Sequence, residues 1–85
     1  MKNEGRGVIR LNDKTDHGGQ VTTTSSGTTV MGLPAALADD MTHCPKCKGD
    51  FPITPDGKGA RHNGRPYAYH DDVTACGARL ISSLV

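Results

Sequence analysis

Apolar residues in this chain fall in short runs broken by glycine, proline and polar clusters, and no window sustains a 3.6-residue apolar period. That pattern argues against long helices and for short extended segments. Val8-Ile9-Arg10-Leu11 is the first such run. Val21-Thr22-Thr23-Thr24 and Thr28-Thr29-Val30-Met31 flank Ser25-Ser26-Gly27, and their β-branched content reads as an exposed polar hairpin with a glycine turn. Phe51-Pro52-Ile53 precedes the turn Pro55-Asp56-Gly57. Asn63-Gly64 is a two-residue hairpin signal. Tyr67-Ala68-Tyr69 and Arg79-Leu80-Ile81-Ser82 complete the set. Many short strands at even spacing predict an all-β domain.

An internal repeat organises these segments. Residues 32–44 and 64–76 share glycine, proline, alanine, a double aspartate, threonine and a terminal cysteine, all 32 positions apart. Asp13-Lys14-Thr15-Asp16-His17 is a fainter third copy of the pattern Asp-x-Thr-x-Cys, with His17 in the cysteine's place. A repeat that returns a soft donor to one point predicts a pseudo-symmetric fold pinned at one metal ion. The copies span approximately residues 5–19, 32–44 and 64–77 of one domain, 1–85.

Composition makes such a staple necessary. Leu, Ile, Val and Phe supply only 14 of the 85 residues, below the share of roughly 20% at which a chain looks unable to fold. The net charge is only +1, so the high charge that accompanies disorder is missing. A weak core needs disulfides, a metal or a partner. Three cysteines cannot all pair within one chain, and four histidines accompany them, which favours metal. The balanced charge argues against nucleic acid or a membrane held by bulk electrostatics. The N-terminus has no apolar run behind it, so no secretory leader is expected, and no stretch approaches the length of a membrane span.

The candidate ligands are His17, His43, Cys44, Cys47, His62, His70 and Cys76, more than one tetrahedral site needs. Cys44-Pro45-Lys46-Cys47 has the spacing that lets one turn offer two thiolates to one ion. Read structurally instead, it is a tight proline turn with small apolar fillers. Two glycines after His17 free the backbone to bring its ring inward. His43 and His70 each adjoin an acid pair, Asp39-Asp40 and Asp71-Asp72. Those carboxylates either orient an imidazole through its second nitrogen or cap backbone amides in turns. His62, beside Asn63-Gly64, reads as a solvated hairpin end outside the site.

Gly32-Leu-Pro-Ala-Ala-Leu-Ala-Asp-Asp40 with its echo Gly64-Arg-Pro-Tyr-Ala-Tyr-His-Asp-Asp72 resembles the PAAR (proline-alanine-alanine-arginine) repeat family, as do 15–19, 44–49 and 74–81. The name motif's arginine is Leu37 in one copy and Tyr69 in the other. The resemblance implies a small β cone with three-fold pseudo-symmetry and a structural zinc near its apex, held by three histidines and one cysteine. Carried over, that set is His17, His43, His70 and Cys76. Cys44 and Cys47 are rivals for the place of His43, because adjacent strand residues point to opposite faces. The resemblance further implies the tip of a type VI secretion spike, one per trimeric VgrG-type β-helix, that sharpens it for membrane puncture. It would carry non-covalent effectors, with no catalytic residues, no nucleic acid and no stable membrane insertion. Such a protein is cytoplasmic before firing and then exported to the extracellular space or target cell. With only nine residues after Cys76, no fused effector domain is expected. The alternatives are a stand-alone zinc-ribbon-like binding module and a small zinc hydrolase. The sequence has no His-Glu-x-x-His, and Lys and Arg are scattered among the acids.

Overall fold

The computed structural model describes residues 2–3, 6–57 and 59–83, without the side chains of Lys2, Asn3 and Arg6. Part of the N-terminal stretch and the first residue of the copy 5–19 therefore lie outside the described residues. All regular structure among the described residues is β, with no helix, and every pairing is antiparallel. The strands in order are β1 (Lys2–Asn3), β2 (Arg6–Gly7), β3 (Lys14–Thr15), β4 (Gln20–Val21), β5 (Thr29–Val30) and β6 (Leu33–Pro34). They continue as β7 (Met41–Cys44), β8 (Gly49–Thr54), β9 (Arg61–His62), β10 (Arg65–Pro66), β11 (Val73–Thr74) and β12 (Leu80–Ile81). Six form one sheet in the order β11-β8-β7-β4-β3-β12. A bridge between Val73 and Arg79 brings its two ends together, so the sheet is nearly closed like a barrel. The remaining strands form three hairpins, β1-β2, β5-β6 and β9-β10, one leading into each repeat copy.

Backbone hydrogen bonds join the copies around a pseudo-three-fold axis. The amide of Ile9 donates to Ala68 O at 2.8 Å, that of Ala68 to Ala36 O at 3.0 Å, and that of Ala36 to Ile9 O at 2.8 Å. These three bonds form a closed cycle. A second set repeats the relation, with Leu11 N donating to Pro34 O, Ala38 N to Pro66 O and His70 N to Gly7 O. Ile9, Ala36 and Ala68 pack with Val21, Ile53 and Leu80 as a fully buried core, one residue of each kind from each copy. Two alanines at the cycle let three backbones approach closely. Alternate residues face the other way. Val8, Ala35, Leu37, Tyr67 and Tyr69 form a second buried cluster.

The recurring aspartates build the turns that follow the cycle. Asp13, Asp40 and Asp72 are buried, and each accepts from the amide three residues earlier (Arg10, Leu37, Tyr69) at 2.8 Å. The residue before each, Asn12, Asp39 or Asp71, has φ of 70–73°. Asn and Asp tolerate this left-handed region better than other side chains. Both acid pairs therefore follow the turn reading: the first residue takes the strained backbone and the second caps it.

Two sequence expectations fare differently. Asn63 (φ 51°) and Gly64 (φ 84°) join β9 to β10 as a type I′ hairpin. The hairpin expected around Ser25-Ser26-Gly27 is not formed. Thr22 and Thr23 donate to Met41 O instead, and the run 28–31 reverses at Met31-Gly32 to pair with β6. Thr22 follows directly on the pairing of Val21 with Thr42, so the carbonyl of Met41 lets it continue the ladder of β4 against β7. The arginine of the name motif is present after all, in the first copy. Arg10 stands at the position of Leu37 and Tyr69, buried, and donates through Nη1 to Val30 O at 2.8 Å and through Nη2 to Ser83 Oγ at 2.6 Å.

Gly19 tests the tightness of the sheet. A Cβ there would lie 1.8 Å from His43 O, a backbone atom that cannot yield. Gly27 has open space around it but a φ of +70°. Gly19→Ala is expected to lower the unfolding free energy by about 3 kcal/mol or more. Gly27→Ala should cost about 1–2 kcal/mol, the left-handed penalty alone. Equal urea midpoints for the two variants would contradict this packing.

Candidate metal centre

Three turns converge at one end of the sheet, and each carries a soft donor at the same place. His17 lies in the turn from β3 to β4, Cys44 ends β7, and Cys76 follows β11. Each sits two residues after a buried threonine, Thr15, Thr42 or Thr74. In the first and third copies the turn closes alike. Thr15 N donates to Gly19 O and Thr74 N to Ala78 O, with Gly18 (φ 82°) and Gly77 (φ 86°) taking the left-handed position. The second copy departs from them. Six residues separate Thr15 from Val21 and Thr74 from Leu80, but eleven separate Thr42 from Ile53. The five extra residues lengthen the β7-β8 hairpin and carry Cys47 back over the other three donors.

The ligand atoms of His17, Cys44, Cys47 and Cys76 all lie within 4.8 Å of one another. Cys44 Sγ is 3.6 Å and Cys76 Sγ 3.9 Å from His17 Nδ1. Tetrahedral zinc with metal–sulfur bonds of about 2.3 Å places its donors about 3.8 Å apart, and three thiolates with one imidazole is a known structural set. The residues therefore fit a metal ion. Cys44 is buried, His17 and Cys76 are half-buried, and Cys47 is exposed. The Cys47 amide donates to Cys44 Sγ at 3.4 Å, which ties the turn to the buried sulfur. His17 Nε2 lies 3.9 Å from Asp16 Oδ1, on the side of the ring away from the sulfurs.

Of the four residues the resemblance supplied, the structure brings together His17 and Cys76 and adds Cys44 and Cys47. His43 and His70 lie elsewhere. On β7, Thr42 and Cys44 point inward, so His43 points outward, where its Nδ1 meets Asp50 Oδ1 at 3.1 Å. His70 belongs to the turn after the central cycle. Its Nδ1 accepts from the Ser82 amide at 3.0 Å, and its own amide donates to Gly7 O. His62 stacks edge-on against Tyr67, remote from the cluster. The signal for Cys44 was the phase of the repeat itself: Asp13/Thr15/His17, Asp40/Thr42/Cys44 and Asp72/Thr74/Cys76 run in step.

The sulfurs perturb one another. The Cys47 thiol is pushed up to about 11, chiefly by its hydrogen bond with Cys44 and further by burial and Cys76. Burial would raise Cys76 too. Hydrogen bonds from the Thr74 hydroxyl and the Ala78 amide, with Cys44 and His17, outweigh it and draw Cys76 down to about 6. In the metal-free chain at pH 7, Cys47 is therefore protonated and Cys76 mostly thiolate. Ligation requires both deprotonated. Metal uptake should therefore release more protons at pH 5 than at pH 7, because Cys76 must then give up a proton as well as Cys47. Titration calorimetry in buffers of different ionisation enthalpy reads this number directly. A proton yield that falls as pH is lowered would contradict it.

A sequence model of the PAAR motif matches residues 11–82. The chain belongs to this family, whose members are spike-tip proteins of type VI secretion. No curated protein matches it. No helix among the described residues is long and apolar enough to cross a membrane.

Proposed function

We propose that the chain caps a trimeric VgrG-type spike, one tip per trimer, and that His17, Cys44, Cys47 and Cys76 hold one structural zinc ion beneath the point. The observation that carries the reading is the cycle of backbone bonds through Ile9, Ala36 and Ala68. It gives one chain a near three-fold cross-section, the shape that a three-fold partner requires. The hairpins that lead into the three copies would supply strand edges for pairing with the spike. The ion would tie together three turns that the small core alone holds weakly, giving the stiffness a puncturing point needs. Structural zinc contributes on the order of 10–16 kcal/mol of apparent binding free energy at neutral pH, enough to set the rigidity of this end. The tip would be made in the cytoplasm, travel out on the spike, and carry any effector non-covalently.

Native mass spectrometry of the purified chain with a trimeric spike protein from the same cell tests the capping. One chain with one zinc on three spike chains is expected, and a zinc-loaded monomer that ignores the spike would overturn it. Ligand identity has its own test. Cys44→Ser and Cys76→Ser should lose zinc and melt more than about 10 °C lower, since each kcal/mol moves Tm by about 4–8 °C in a domain of this size. His43→Ala and His70→Ala should each keep one zinc per chain by elemental analysis. Zinc lost from either histidine variant would move the site.

A further inference from the structure

The five-residue extension in the second copy does more than complete a ligand set. It places the exposed Cys47 beside the buried Cys44 on a single turn, with the Cys47 amide already 3.4 Å from Cys44 Sγ. We infer that this turn is an oxidation-sensitive latch on the metal: a peroxide joins Cys44 and Cys47 as a disulfide and so expels the ion. The inference rests on the metal reading above and adds a condition under which the ion leaves.

The chemistry balances. Exposed thiolates are the ones oxidants reach, and Cys47 is the exposed cysteine of the three. Its sulfur attacks one peroxide oxygen, the O–O bond breaks, and Cys47 becomes a sulfenic acid while the other oxygen leaves as water. The Cys44 thiolate then attacks the Cys47 sulfur, an S–S bond forms, and the second oxygen leaves as water after taking a proton. Two thiolates, one hydrogen peroxide and two protons give one disulfide and two waters. The sulfurs lose two electrons and the peroxide gains them. A disulfide sulfur is not a thiolate donor, so only His17 and Cys76 remain for the ion, too few for a closed site.

Geometry selects this pair over the others. All three sulfurs lie within 4.8 Å of one another, but Cys44 and Cys47 are three residues apart on one turn, so theirs can close without moving a second strand. Cys76 belongs to another copy and its sulfur is engaged by Thr74 Oγ1 at 3.1 Å. The core cycle and its six buried side chains do not involve the cluster, so the loss acts first on the converging turns.

The test treats the zinc-loaded full chain with one equivalent of hydrogen peroxide. Zinc is followed with a chromogenic chelator, and sulfur pairing by peptide mass spectrometry. Near-complete zinc release, a Cys44–Cys47 disulfide, and recovery of zinc binding after a phosphine reductant would support the latch. Zinc retained, a disulfide through Cys76, or release with Cys47 only as sulfinate would overturn it. A chain that carries no zinc before peroxide would overturn the metal reading, and the latch with it. Cys47→Ser, where it still loads zinc, should release it on the order of tenfold more slowly, because the exposed thiolate is gone. Release at the unchanged rate would overturn the latch.

Discussion

Everything in this molecule depends on three chain segments meeting backbone to backbone at one axis. The cycle Ile9–Ala68–Ala36 satisfies peptide groups that would otherwise be buried without partners, and such groups are costly to leave unpaired. It works only where side chains at the axis are small or point inward together, which two alanines and one isoleucine achieve. From that point each copy turns on a buried aspartate and runs out to the converging turns. The position of His17, Cys44 and Cys76 is thus a consequence of the axis. Three chain segments of equal length, eight positions from Ile9 to His17, from Ala36 to Cys44 and from Ala68 to Cys76, bring three equivalent residues together. A chain so poor in large apolar residues gains its order through this repetition of polar, directional bonds.

The sequence made some of this legible and hid the rest, for identifiable reasons. Asn63-Gly64 named its hairpin because only a few residues accept two consecutive positive φ angles. The 32-residue offset exposed the repeat because Pro34/Pro66, Asp40/Asp72 and Cys44/Cys76 each answer a local requirement that recurs. The segment 21–31 misled because threonine-rich runs suit any strand, and the partner of Thr22 and Thr23 is Met41, which no local pattern announces. Met31 at φ 51° in a turn is equally invisible, since methionine carries no turn signature.

The donor cluster shows a different limit. Repeat phase pointed to Cys44, whereas the family resemblance pointed to the adjacent His43. One position on a strand decides between the interior and solvent, and the burial pattern of β7 sends Cys44 inward and His43 outward. Cys47 lies outside any three-fold register. It exists because the second copy is five residues longer, so the fourth donor is the place where the pseudo-symmetry is broken. Arg10 breaks it again on the other side of the cycle, reaching β5 and Ser83 where Leu37 packs as hydrocarbon and Tyr69 packs its ring while its hydroxyl accepts from the Ala60 amide.

The closed cycle also dictates when the molecule can form. Ile9 and Ala68 are bonded to each other across 59 positions of sequence, and such distant pairings must overcome loop-closure entropy before any contact rewards them. No two copies can complete the axis without the third. A growing polypeptide therefore cannot close the axis until its last copy, with Ala68, has emerged. Assembly thus ends with the third copy, whose arrival closes the ring.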